Sequence, residues 1–230
     1  MQLKKEIENA ITEFCVEVVQ NPMIYFSEAD LQQLLVDRLR LVKRLGKLYP
    51  TAVLRGKGAK TKYRTSLVHR EYGAKQGKRI DVAVFSKTDV ARINSPNLTI
   101  GKKYLTPEFG FELGTEKSTE TLKHYRGDLE KLKECKTGYL IHVFTDNTTS
   151  RKGTKTNAKT ESKIQLKFKS VFEKNGAKEN VVVIAILLRP YKKQSKTRGK
   201  LEIFDGTAWK PVNISKKVEI RKAIRKQFNE

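Results

Sequence analysis

Eight consecutive apolar residues, Val181 to Leu188, stand inside a chain that is otherwise heavily charged. The run is rich in Val and Ile and ends at Arg189, far short of the roughly 18 apolar residues that a membrane helix requires. A segment of that length suits a central strand covered on both faces, because a strand with one face in water would alternate apolar and polar residues. The chain must therefore supply helices to cover the sheet. Leu3, Ile7, Ala10, Ile11, Phe14 and Val18 recur at helical spacing up to Pro22. Ser27-Glu-Ala-Asp30 reads as a capping box, with Asp in place of the usual Glu, opening a second helix that runs on to about Gly46.

A Gly- and Lys-rich loop follows, and then strands at Leu67 to Tyr72 and Arg79 to Phe85 read as a pair. After a looser stretch around Pro96, Tyr104 to Gly114 is a third strand. A helix from about Ser118 to Cys135 carries Leu122, Tyr125, Leu129 and Leu132 on one face, and Gly138 to Phe144 is a buried strand. Thr145 to Thr160 reads as a polar loop, and Ile164, Phe168 and Val171 as the apolar edge of a helix. Leu201 to Phe204 and Ala208 to Val212 form a hairpin around Asp205-Gly206, and Ser215 caps a basic last helix. Helix, strand, strand, strand, helix, strand from Glu28 to Phe144 predicts a mixed α/β sheet flanked by helices. The chain is read as one domain, 1–230, with a core at about 28–144 and a basic extension over about 145–230.

Charge narrows the function. Lys and Arg number 48 against 25 Asp and Glu, a net charge of +23, which points to a polyanion as partner. The excess is concentrated between Arg151 and Lys200, where Lys152, Lys155, Lys192, Lys193, Lys196 and Arg198 are candidates for sequence-independent phosphate contacts. DNA is the expected partner, with RNA as the alternative. Glu6, Glu8, Glu13 and Glu17 interrupt the first apolar residues in a way no secretory h-region tolerates, so a cytoplasmic, membrane-free protein is expected. Cys15 and Cys135 make no disulfide framework and no zinc motif.

The acids carry the chemistry. Asp81 interrupts the apolar strand Arg79-Ile-Asp-Val-Ala-Val-Phe85, and Glu112 interrupts Phe109-Gly-Phe-Glu-Leu-Gly114. A carboxylate entering a sheet must face water, bind a cation or bear a desolvation penalty of roughly several kcal/mol. Two such groups at neighbouring strand ends repel each other unless a cation lies between them, and Mg²⁺ accepts one or two carboxylates with water and phosphate completing its shell. Ion pairing of Asp81 with Arg70 or Arg79, and of Glu112 with a lysine, is the plainer alternative. His124, Asp128 and Lys131 read as a solvated helix face, and His69 and His142 have no ligand role assigned.

These residues and their element order resemble the PD-(D/E)XK nuclease superfamily over roughly Glu28 to Phe144. His69-Arg-Glu-Tyr72 with Arg79 to Phe85 resembles the hairpin bearing the family's Asp, here Asp81, and Phe111-Glu-Leu-Gly114 resembles the strand bearing its (D/E)-x-K element, with Glu112 as the acid. Tyr125-Arg-Gly-Asp-Leu-Glu-Lys-Leu132 resembles the following helix, and Glu28-Ala-Asp-Leu-Gln32 the opening one. The resemblance implies a restriction-endonuclease-like αβββαβ core and a Mg²⁺-dependent endonuclease, with Mn²⁺ as a substitute ion. Asp81, Glu112 and Glu28 would stand near the metal, and a homodimer would serve to cut both strands in a restriction or defence role. The family's lysine falls at Gly114, which shares a face with Glu112 and leaves space for a side chain from elsewhere. Lys117 is the nearest substitute, with Lys123 and Lys131 as others. A nuclease fold that has lost its chemistry and only binds nucleic acid is the second reading, and a basic RNA-associated protein with ordinary ion pairs the third.

Overall fold

The computed structural model describes residues 2–51, 54–56, 59–61, 64–73, 78–91, 105–117, 122–145, 180–188, 199–204 and 209–226. Its helices are α1 (Gln2–Gln20), α2 (Glu28–Arg40), α3 (Lys87–Ala91), α4 (Leu122–Leu132) and α5 (Lys217–Lys226). Short strands β1 (Leu48–Pro50) and β4 (Arg64–Ser66) pair with each other, as do β2 (Leu54–Gly56) and β3 (Ala59–Thr61). The remaining strands are β5 (Val68–Gly73), β6 (Arg79–Val84), β7 (Phe109–Lys117), β8 (Thr137–Thr145), β9 (Val181–Leu188), β10 (Gly199–Phe204) and β11 (Trp209–Val212). These seven form one sheet in the order β11-β10-β9-β8-β7-β6-β5. Strands β7, β8 and β9 run parallel, and every other neighbouring pair is antiparallel.

The apolar run does what its composition requires. Val182, Ile184, Ile186 and Leu188 of β9 join a core with Ile7, Ile11, Phe14 and Val18 of α1, whereas Val181, Val183, Ala185 and Leu187 join Tyr125, Leu129 and Leu132 of α4. Alternate side chains of one strand thus enter two separate apolar layers, which is why no polar residue interrupts it. The basic extension contributes β9, β10, β11 and α5 to the same sheet and its covering layer, so the sheet continues well past residue 144. No helix among the described residues is long and apolar enough to cross a membrane.

Several local expectations change. The capping box at Ser27 forms with Asp30 in the Glu position, Asp30 Oδ2 accepting from Ser27 N at 2.8 Å. The helix it opens ends at Arg40 instead of near Gly46, because the chain turns back so tightly that a Cβ at Gly46 would lie 2.4 Å from the Arg40 carbonyl oxygen. The stretch expected as loop after it holds the β1–β4 ladder, and α3 follows β6. Ser215 does not cap the last helix: α5 begins at Lys217, and the Ser215 hydroxyl donates to Asn213 Oδ1 at 2.7 Å. The expected loop beyond residue 145 and the helix around Ile164, Phe168 and Val171 lie outside the described residues, as do Lys152, Lys155, Lys192, Lys193, Lys196 and Arg198.

Candidate active site

The sheet opens beside Asp81. Strands β6 and β7 pair through Val84↔Phe109, Ala83↔Gly110 and Val82↔Phe111, and there the ladder stops. One step further, the Asp81 side chain takes over from the backbone: Leu113 N–H donates to Asp81 Oδ2 at 2.7 Å. On the other side of β6, pairing passes from Arg70↔Val82 to Tyr72↔Ile80, and the intervening Glu71 has φ of 51°, in the left-handed region that a non-glycine residue rarely adopts. Asp81 therefore stands just past the end of the β6–β7 ladder and at the one pair missing from the β5–β6 ladder, which resumes at Tyr72↔Ile80.

The parallel step from β7 to β8 requires a crossover, and α4 is that crossover, lying over the face that carries Glu112. Residues three apart share one side of a helix, so Asp128 and Lys131 arrive together. The Lys131 ammonium donates to Glu112 Oε2 and lies 3.0 Å from Asp128 Oδ1. Glu112, Asp128 and Asp81 are only 1 %, 3 % and 7 % exposed, and the Lys131 side chain 16 %. Behind them, His142 of β8 is fully buried, its Nε2 3.7 Å from Asp128 Oδ2 and its ring 4.8 Å from that of Tyr125.

Burial dominates the electrostatics. It pushes the Asp81 carboxyl up to about 7, against the Leu113 amide and the Lys131 ammonium, while Glu28 and Asp128 add to the rise. Glu112 is held well above the usual carboxylate range, first by burial and then by the Asp81 charge. Burial alone would lower Lys131, but Glu112 and Asp128 more than offset it and its pKa is raised, so the ammonium stays charged. Among the described residues, three buried carboxyl groups thus gather at one ammonium.

Of the residues singled out in the sequence, Asp81 and Glu112 come to adjacent strands at one point. Glu28, half-buried in the first turn of α2, is close enough to raise Asp81. Arg70 donates instead to Gln32 Oε1 at 3.1 Å and Gln33 Oε1 at 3.0 Å, and Arg79 lies 3.8 Å from Glu71, so both arginines are engaged away from Asp81. Lys117 ends β7 and its side chain lies outside the described residues, as does that of Lys123. Lys131 is the lysine seen on Glu112. The solvated face expected for Asp128 and Lys131 is corrected accordingly: the crossover turns it inward, over the opening in the sheet.

Gly114 is corrected too. The space above it belongs to His142, its neighbour in the β7–β8 register, and a Cβ at position 114 would lie 2.6 Å from imidazole Cε1 and Nδ1. Gly114→Ala therefore must displace a buried ring and is expected to destabilise the fold by about 1–3 kcal/mol, read as a lowered Tm; an unchanged Tm would show that the ring is free to move. The sequence assigns His142 no ligand role, although a histidine in the apolar strand Gly138 to Phe144 is the same signal that marks Asp81 and Glu112.

Among the described residues, no group of three or more His, Cys, Asp or Glu is disposed to hold a metal ion. Two carboxylates remain, and they fit a hard cation that keeps most of its water: Glu112 gives Oε2 to Lys131, and its Oε1 is buried with no hydrogen-bond partner. No family model, no curated protein and no solved structure matches the chain.

Proposed function

We propose that this chain is a metal-dependent nuclease with a restriction-endonuclease-like core, hydrolysing phosphodiester bonds of DNA, with Asp81 and Glu112 as ligands of Mg²⁺ or Mn²⁺ and Lys131 as the electrostatic partner. The observation that carries the reading is the cluster of three buried carboxyl groups at the opening of the sheet, where Lys131 brings the one ammonium seen among the described residues. Among the described residues, three ionised carboxylates against one ammonium leave two negative charges, the charge of one divalent cation. With the short strands β1–β4 and the five-residue α3 set aside, the order α2-β5-β6-β7-α4-β8, with β8 parallel to β7, supports the resemblance drawn from the motifs.

Glu112 Oε1 and the Asp81 carboxylate would hold the cation. Bound there, it supplies polarisation of a phosphoryl oxygen and a lowered pKa for the attacking water. Lys131, partly exposed and fixed by two carboxylates, presents its ammonium where negative charge gathers on the phosphate. The net charge of +23 draws the polyanion to the surface without reading its sequence.

The test is a cleavage assay on linear, circular and single-stranded DNA and on RNA, with Mg²⁺, Mn²⁺ or EDTA. Metal-dependent DNA cutting, lost in Glu112→Gln, is the expected result. Salt-sensitive binding with no cutting in either metal overturns the nuclease and leaves a nucleic-acid binder.

A further inference from the structure

Two residues of the site, Asp128 and His142, are ligands neither of the cation nor of the phosphate in the chemistry outlined above. Asp128 sits one helical turn before Lys131 and meets its ammonium at 3.0 Å through Oδ1, while Oδ2 faces the imidazole Nε2 at 3.7 Å. That second separation is too long for a hydrogen bond and places the ring as a wall instead. The ring cannot retreat toward β7, because it already lies against Gly114, and Tyr125 covers it from α4. The ring thus bounds the space beside the Asp128 carboxylate, the carboxylate meets the ammonium, and the ammonium takes Glu112 Oε2.

We propose that Asp128, backed by His142, is a positioning residue that holds the Lys131 ammonium on Glu112 Oε2 and so leaves Glu112 Oε1 for the cation. The inference rests on the nuclease reading for its kinetic consequence, but not for the geometry itself. A lysine on a flexible four-carbon stem has no preferred contact when left alone. With Asp128 on one side, one proton of the ammonium is committed, and the direction of the rest is fixed. Gly114 belongs to the same device, since any side chain there would displace the wall. The arrangement also accounts for a buried acid on a helix face that otherwise burdens Asp81 and Glu112 with repulsion.

Two readouts test it on the full chain. In ¹H–¹⁵N spectra of the metal-free protein, the Lys131 ε-ammonium, assigned by its disappearance in Lys131→Arg, should be visible because it is held. It should broaden away or shift in Asp128→Asn and be regained at least in part in Asp128→Glu. In the cleavage assay, Asp128→Asn should lower kcat about 10–100-fold with KM little changed, and lower it no further when Lys131 is already Ala. An Asp128→Asn variant that keeps the ammonium signal and the parental kcat overturns the positioning role. So does an equal loss of kcat with and without Lys131, which would make Asp128 merely structural. A parent that shows the signal and its loss in Asp128→Asn but cuts nothing in Mg²⁺ or Mn²⁺ overturns the nuclease reading and leaves the positioning intact.

Discussion

Replacing Asp81 by Asn is expected to raise the melting temperature of the metal-free protein at pH 8 and to abolish cleavage. Burial holds the Asp81 carboxyl at about 7 in the fold, against the ordinary 3.8 of the unfolded chain. A folded pKa above the unfolded value means that the native state favours the proton. The associated stability is whole below about pH 4 and is lost as pH rises toward 7. Three pH units correspond to about 4 kcal/mol, an upper bound that relaxation and water entry will reduce to roughly 2–4 kcal/mol. Asparagine has the same shape, keeps an oxygen to accept from Leu113 N–H and carries no charge to desolvate. The gain should therefore grow from about pH 4 to pH 7 and stay level above, a few degrees of Tm for each kcal/mol in a chain of this length. Mg²⁺ should raise the Tm of the parent and leave the variant nearly unmoved, because a ligand stabilises only the state that binds it. A variant less stable than the parent at pH 8 would mean that Asp81 is an ordinary ion-pair partner, and one that still cuts would remove it from the site.

How far the sequence carried this reading depends on what kind of signal each residue left. The run Val181 to Leu188 announced a strand buried on both faces, and Asp81 and Glu112 were conspicuous because an acid inside an apolar strand violates a period of two. Asp128 and Lys131 left no such mark. On a helix, an acid and a base three residues apart is what a solvated face looks like, and only the direction in which the crossover lays α4 on the sheet turns that face inward. Gly114 misled for a related reason: the glycine was legible, but its cause is the β8 residue beside it, and strand register across a helix-long connection cannot be read from spacing. The short ladder between β1 and β4 and the end of α2 at Arg40 depend likewise on backbone packing, with little periodicity to announce them.

The same asymmetry makes Lys131 the most consequential single residue in the cluster. Lys131→Met keeps the bulk of the aliphatic stem and removes a positive charge that Glu112 and Asp128 share. Removing one partner of a buried pair leaves the others desolvated and uncompensated, at a cost of about 3–5 kcal/mol. At pH 8 that should lower Tm well below the parent. As pH falls, the Glu112 carboxyl, already held well above the usual range, can take up a proton and the difference should shrink, opposite in sign to Asp81→Asn, whose gain shrinks on the same descent. Adding Mg²⁺ at pH 8 should restore part of the lost stability by replacing the counter-charge. Cleavage should remain down by about 10²–10³-fold, since a metal-held phosphate still lacks the ammonium beside it. Lys131→Arg, which keeps the charge but spreads it over a planar fork, should retain most of the stability and little of the rate. These outcomes separate the ammonium as counter-ion from the ammonium as participant: a Lys131→Met variant that is unstable yet cuts at the parental rate leaves Lys131 holding two acids in place and removes it from the electrostatic role in cleavage.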